Sequence, residues 1–287
     1  MIPQRPRRSA LYMPASNARA IEKAKSLACD VVILDLEDAV APESKSEARQ
    51  LAVEAVRAGG FGRREIVIRV NGLDTPWGGD DLAAAALSGA DAILAPKVST
   101  PEDLAQYAVA LRGETRLWAM IETCQAIFRL NDLGRAARQA RNDVWVVGTN
   151  DLVKEMRCRT RPDRAPLTPA LALAVMAAHA HGLAVLDGVY NDIPNLEGLA
   201  AECEQALDLG MDGKSLIHPS HLEVANRTFT PTPEAVAWAH LVAAAFAAPE
   251  NSGKGVLKVD GKMVERLHLA EAERLLAIAA AIAAAET

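Results

Sequence analysis

The sequence predicts an α/β chain folded as a (β/α)8 TIM barrel and extended by a C-terminal helical arm or lid. Short runs rich in Val, Ile and Leu alternate with Ala-rich helical segments at roughly 30-residue intervals, the rhythm of repeated βα units. Half of the residues (50%) are apolar but only 4% are aromatic, so Ala, Val, Leu and Ile must build the core, as in parallel strands covered by small-residue helices. No GxGxxG follows the first run, which argues against an open dinucleotide-binding sheet.

The predicted strands are residues 10–13, 31–36, 66–70, 92–95, 117–121, 144–147, 184–186 and 215–217. Eight runs, each parted from the next by helical sequence, favour a closed barrel. Barrels reach about 250 residues as one unit, so a chain of 287 residues divides into a barrel over 1–228 and an arm over 229–287. The pattern changes after His218: NRTFTPTPE carries two prolines and a capping Thr, and 234–248 reads as a helix. The Gly-punctuated PENSGKGVLKVDGK follows, in which GVLKVDG suits a short strand or hairpin, and a last helix is expected from about Met263 to the end.

Charge and motif content narrow the function. A net charge of −6 with no long Lys/Arg run excludes a nucleic-acid surface. The cluster Arg5, Arg7 and Arg8 has no apolar segment behind it and reads as a solvated terminus. No stretch approaches the roughly 18 uninterrupted apolar residues of a membrane span. Cys29, Cys124, Cys158 and Cys203 have no CxxC spacing, as expected of thiols in a reducing compartment, so a cytoplasmic protein is expected.

In a βα barrel the chemistry lies on the loops that follow each strand. Polar residues gather there: Asp35, Glu37 and Asp38 after the second strand, Arg69 and Asn71 at the third, Lys97 at the fourth, and Glu122 and Thr123 at the fifth. Thr149, Asn150 and Asp151 follow the sixth, Asp187 the seventh and His218 the last. Plain structural roles compete: Thr123, Asp38 and Asn150 suit helix caps, Lys97 a rim residue and His218 a packing residue. Arg69, Glu122 and Asp151 resist that treatment, because a charge directly after an apolar strand is costly to enclose without a partner. Neighbouring carboxylates repel unless a proton or cation separates them. With no His/Cys cluster, the natural partner is a hard, oxygen-ligated ion such as magnesium, which can chelate a 2-oxo or 2-hydroxy acid. Arg69 would then supply fixed positive charge to a carboxylate or a developing enolate.

The ordered runs RRSALYMPASNARAIEKA, DVVILDLEDAVAPESKSEAR, IRVNGLDTPWG, PKV, MIET, VVGTNDL, LDGVYND and GMDGKSLIHPSHLEVANRTFTP cover nearly the whole chain. Together they resemble the citrate lyase β-subunit-like branch of the HpcH/HpaI aldolase superfamily, which includes malyl-CoA and citramalyl-CoA lyases. The resemblance implies that Glu122 and Asp151 bind magnesium and that Arg69 contacts the substrate carboxylate or thioester oxygen. It also implies that Tyr12 and Lys23 hold coenzyme A near the first βα loop. Asn17 stands where those lyases often carry an Arg, a departure at one nucleotide contact. In such lyases the arm crosses to a neighbouring subunit and brings an acid to its site; the matching residue in DGKMVE is Glu265, one methylene longer than the family's Asp, while Asp260 reads as a turn residue.

The resemblance therefore implies a magnesium-dependent carbon–carbon lyase that cleaves or forms a small β-hydroxyacyl-CoA such as malyl-CoA or citramalyl-CoA, with acetyl-CoA and glyoxylate or pyruvate as products. A malyl-CoA thioesterase using the same site is the alternative. A third reading is a citrate lyase β subunit working within a carrier-protein complex. An arm that completes a neighbour's site implies a homo-oligomer, a trimer or a hexamer.

Overall fold

A computed structural model describes the chain from residue 5 to residue 286. Eight parallel strands close into a barrel in sequence order: β1 (Ser9–Pro14), β2 (Val31–Asp35), β3 (Glu65–Arg69), β4 (Ala92–Ala95), β5 (Arg116–Ile121), β6 (Asn142–Val147), β7 (Ala184–Asp187) and β8 (Gly213–Leu216). Closure is the pairing of Ala10 with Ser215 and Leu11 with Leu216. The fold is thus the α/β TIM barrel the sequence predicts. Eight of its runs are strands within a few residues of the expected bounds, and β8 is displaced most. It begins at Gly213 and includes Lys214, a charged residue that an apolar-run criterion passes over but whose side chain is fully buried.

Nine helices lie between the strands: α1 (Ala18–Ala24), α2 (Lys45–Ala58), α3 (Gly78–Ala86), α4 (Pro101–Ala108), α5 (Cys124–Phe128), α6 (Leu130–Ala137), α7 (Thr149–Met156), α8 (Thr168–Ala180) and α9 (Leu196–Leu209). A further helix, α10 (Leu222–Phe229), follows β8. Local sequence explains their starts. Asn17, Thr100, Thr123 and Asn195 each accept a backbone N–H at the head of a helix, and Thr100 forms a reciprocal capping box with Asp103.

Strand side chains alternate between the barrel axis and the helix layer. Ala10, Tyr12, Ile33, Val67, Trp118, Met120, Val146 and Leu186 belong to the cluster that fills the barrel. The alternation that sends Ile33, Val67 and Met120 inward does the same, two residues later, for Asp35, Arg69 and Glu122. The strands' own parity thus carries three charges to the C-terminal mouth.

The described residues divide into two compact units, Arg7–Arg227 and a second one built from the residues after Arg227. The second contains α11 (Pro233–Ala247), the antiparallel hairpin of β9 (Val256–Val259) and β10 (Lys262–Glu265), and α12 (Arg266–Glu286). Its core is small: Ala239, Val242, Leu257, Val259, Val264 and Ala272, with Trp238 packed against them. The hairpin turns at Asp260 (φ 46°) and Gly261 (φ 79°), the Asp-Gly pair favoured where both central residues need positive φ. The last helix starts at Arg266 rather than near Met263, because 262–265 pair with β9 and bury Val264 against it while Met263 is exposed.

Candidate active site

At the C-terminal mouth of the barrel a cavity of about 300 Å³ is lined by Tyr12, Asp35, Arg69, Glu122, Asp151 and Asn191, among others. Arg69 is its central cation. Asp35, its cross-strand neighbour, binds the guanidinium at Nε and Nη2, both at 2.7 Å. Glu37 lies 2.8 Å from Nη1, and Asp38 3.4 Å from the same nitrogen. The Tyr12 ring lies beneath, its centroid 4.8 Å from the guanidinium carbon, and the Tyr12 hydroxyl donates to the Met120 thioether at 3.4 Å. Burial opposes the charge on Arg69, but Asp35, Tyr12 and Glu37 together outweigh it and hold the group well above the usual arginine range.

The same Asp35 carboxylate also accepts the backbone N–H groups of Glu37 and Ala39, at 2.9 and 3.1 Å. Lys45, buried on α2, donates to the carbonyls of Leu36 and Glu37 at 2.8 and 2.6 Å. The loop after β2 is therefore held from both sides, which fixes where Glu37 stands relative to Arg69.

Glu122 is 2% exposed and accepts the Lys97 backbone N–H at 2.7 Å. Lys97 delivers that bond from a left-handed backbone, φ 52°, a conformation non-glycine residues adopt at a cost. Burial, with the Glu37 charge next, pushes the Glu122 carboxyl up to about 8. Burial also pushes Glu37 up to about 7, against the opposing pull of Arg69. Asp151 sits in the first turn of α7, half-buried, and its charge adds to the field at Glu122. Gly148 precedes that helix, and a Cβ built there would overlap the Glu122 carboxylate, so the bare backbone is what leaves Glu122 its place. The mouth holds more carboxylates than cations, and Glu122 and Asp151, which line the same cavity, are carboxylates that could hold a hard cation. Among the described residues no group of three or more His, Cys, Asp or Glu side chains surrounds a metal position, so such an ion would take its other ligands from water or substrate.

Of the residues expected from sequence, Arg69, Tyr12, Glu122 and Asp151 line one cavity. Lys23 does not: it is exposed in the last turn of α1. Glu265 belongs to the second unit, half-buried at the end of β10, where its N–H donates to His268 Nδ1 at 2.9 Å. Thr123 is the cap it could have been. Asn150 is not: it exchanges amide hydrogen bonds with Asn191, at 2.8 and 3.3 Å. His218 caps a short 3-10 turn through Ser220. Asp187 leaves the mouth altogether. Parity turns it outward, where it is fully buried against Lys214 and Arg164; burial opposes its ionisation, yet those two cations outweigh it and hold the carboxyl below the usual range. The role of Asp35 as a partner of Arg69 was readable in principle from strand parity and register, whereas Glu37 stands in the loop beyond β2.

Residues 8–219 match the HpcH/HpaI aldolase/citrate lyase family, and the chain belongs to it. A (3S)-malyl-CoA thioesterase of Cereibacter sphaeroides is 50% identical over 279 residues, covering 97% of this chain and 96% of the relative. An L-malyl-CoA/beta-methylmalyl-CoA lyase of the same species is 33% identical over 313 residues, covering 98% and 97%. Among solved structures, the protein CitE of Mycobacterium tuberculosis in complex with magnesium, acetoacetate and coenzyme A superposes with a TM-score of 0.75 at 28% identity, covering 95% of this chain and 97% of that one. Among the described residues no helix is long and apolar enough to cross a membrane.

Proposed function

We propose that this chain is a magnesium-dependent hydrolase of a malyl-CoA-type thioester. The observation that carries the choice of reaction is the 50% identity, over 97% of the chain, to a malyl-CoA thioesterase. It reverses the order reached from sequence, in which carbon–carbon cleavage came first. Cleavage to acetyl-CoA and a 2-oxo acid stays as the second reading, favoured by the 33% identity to a malyl-CoA lyase along the same length.

The residues present fit magnesium. Glu122 resists ionisation up to about 8 because it is buried among like charges, and a dication is the partner that would relieve both it and Asp151. When bound there, magnesium supplies a Lewis acid for the carboxylate and hydroxyl of the hydroxy acid. Arg69, oriented by Asp35, has a second N–H on Nη2 to donate to the thioester carbonyl oxygen, where charge develops as water adds to the carbon. The carbon–sulfur bond then breaks, the sulfur takes up the proton that the base removed from water and leaves as the free thiol of coenzyme A, and the new carboxyl group releases its proton to solvent. Glu265, on the arm of a neighbouring subunit, is the proposed base that takes the proton from water. Tyr12 and Lys23 are the proposed contacts to coenzyme A, Tyr12 from the cavity wall and Lys23 from the exposed face of α1. An arm that serves a neighbour calls for a trimer or a dimer of trimers. The four free cysteines support a reducing, cytoplasmic setting.

The test is product analysis. Purified protein with malyl-CoA and magnesium should release malate and free coenzyme A, and excess chelator should stop the reaction. Acetyl-CoA and glyoxylate as main products would establish the second reading instead, and turnover unaffected by chelator would remove the metal.

A further inference from the structure

We propose that the buried ion cluster of Arg164, Asp187, Glu202 and Lys214 is a positioning device for Asp151, acting through the loop after β7. The proposal rests on the reading of Asp151 as a magnesium ligand and adds residues that touch neither metal nor substrate.

The cluster lies outside the barrel wall. Lys214 of β8 and Asp187 of β7 are both 0% exposed and both face the helix layer. An ammonium has three donors. Those of Lys214 reach Asp187 Oδ2, Glu202 Oε1 and the carbonyl oxygen of Gly188, each at 2.6 Å. Arg164 closes the other side: its Nη1 meets the two Asp187 oxygens at 2.7 and 2.9 Å, and its Nε donates to Gln205 at 2.8 Å. Arg164 does so from a left-handed backbone, φ 48°. Two cations and two carboxylates balance, but burying four charges is a poor route to stability, since well-packed apolar residues often serve as well or better. Geometry is the better account of what the cluster does.

What it fixes is Gly188, the first residue after β7. The Gly188 backbone lies so close to Thr149 that an added Cβ would overlap the threonine hydroxyl. Three residues on, Asn191 exchanges amide hydrogen bonds with Asn150. The 188–191 loop thus touches Thr149 through packing and Asn150 through hydrogen bonds, and these are the two residues before Asp151 in the first turn of α7. Val189 and Asn191 line the cavity beside Thr149, Asn150 and Asp151, so the braced loop and the proposed ligand share one wall. A magnesium site tolerates little displacement of its carboxylates, because the ion demands near-octahedral geometry.

The experiment measures Mg²⁺ binding to the metal-free full-length protein by calorimetry, thermal melting, and kcat at rising Mg²⁺ with malyl-CoA. Asn191→Ala cuts the surface link; it should leave the melting temperature nearly unchanged yet weaken Mg²⁺ binding. Lys214→Met releases Gly188; where it folds, it should weaken Mg²⁺ about 10-fold or more. For both, kcat should recover at high Mg²⁺, and for Lys214→Met, which lies outside the cavity, the KM for the thioester should stay near the wild-type value, a signature that lost stability alone does not give. Should Lys214→Met fail to fold, Asn191→Ala and Gly188→Ala decide. Wild-type Mg²⁺ affinity in Asn191→Ala together with a folded Lys214→Met or Gly188→Ala overturns the positioning role while leaving the function standing. A wild-type protein that neither binds Mg²⁺ nor needs it for turnover overturns both.

Discussion

Asp35 and Arg69 face each other across β2 and β3, and the carboxylate binds the guanidinium at two nitrogens, 2.7 Å each. Both are nearly enclosed, with 1% and 7% exposure. Removing one partner of a buried pair leaves a charge without compensation, which costs about 3–5 kcal/mol. Asp35→Ala should approach the lower end of that range, because Glu37 still meets Nη1. Asp35→Asn should cost less stability but still lower turnover, since the guanidinium loses its charged anchor. Chemical denaturation and steady-state kinetics on the two variants check this, and a wild-type rate in Asp35→Ala would remove Arg69's orientation from the mechanism.

A pH dependence follows from Glu122. Its carboxyl is raised to about 8 in the folded protein, whereas an unfolded glutamate titrates near ~4.3. Over that interval the folded state binds more protons than the unfolded one, so this contribution to stability is complete below ~4.3 and is lost as pH rises through about 8. Melting temperatures of the metal-free protein between pH 5.5 and 8.5 should therefore fall more steeply in wild type than in Glu122→Gln. Mg²⁺ should reduce the difference, and its affinity should strengthen with pH over the same range. Equal slopes for the two proteins would show that Glu122 is not the group responsible.

Gly148→Ala tests the space around Glu122. The added methyl overlaps the carboxylate and its Cβ, so Glu122 must leave its position. Overpacking of this kind costs about 1–3 kcal/mol in stability, while a displacement on the order of 1 Å at a catalytic group costs about 100-fold in rate. The expected result is a folded protein with weak Mg²⁺ binding and little turnover. A variant with wild-type activity would mean that Glu122 works equally well from elsewhere.

Asp151→Asn keeps the size of the side chain and removes its charge. Turnover should be nearly abolished with the circular dichroism spectrum unchanged, and calorimetry should detect little Mg²⁺ binding. Full activity would pass the ligand role to another carboxylate, with Glu37 first in line.

Glu265 offers a choice between chemistry and capping. Its backbone N–H donates to His268 Nδ1 at 2.9 Å, a bond that any residue at 265 except proline can make, so changing the side chain leaves that contact in place. If it is the base, Glu265→Ala should depress hydrolysis and cleavage together, and Glu265→Asp should raise the ratio of cleavage to hydrolysis on malyl-CoA. Rates and product ratios unchanged in both variants would leave Glu265 a helix-start residue and make Asp260 the next candidate.

The apolar runs made the barrel legible, and parity within them made part of the site legible too: Ile33 to Asp35, Val67 to Arg69 and Met120 to Glu122 are single steps of one alternation. The same rule, applied to Leu186, sends Asp187 to the helix layer; position at a strand end alone had put it in the mouth. Lys214 was invisible to a hydrophobicity pattern because its burial is made possible by Asp187 and Glu202, neither adjacent in sequence. Gly188 and Asn191 were illegible for another reason. Loop residues carry no period, and what they do depends on which other loop the barrel's closure sets beside them. Near Met263 the short β10 lost to the longer helical signal behind it, although the Asp260–Gly261 turn pointed to a hairpin.

The distribution of tryptophan has a practical side. Trp118 and Trp145 are 0% exposed within the barrel wall, while Trp238 packs in the second unit with the Lys262 ammonium 4.8 Å from its ring centroid. Indole emission shifts to longer wavelength as water reaches the ring, so each unit carries its own optical probe. A chain in which Trp238 is the sole tryptophan would report melting of the second unit alone, and one lacking only Trp238 would follow the barrel; two separate transitions would give the second unit a stability of its own, distinct from that of the barrel.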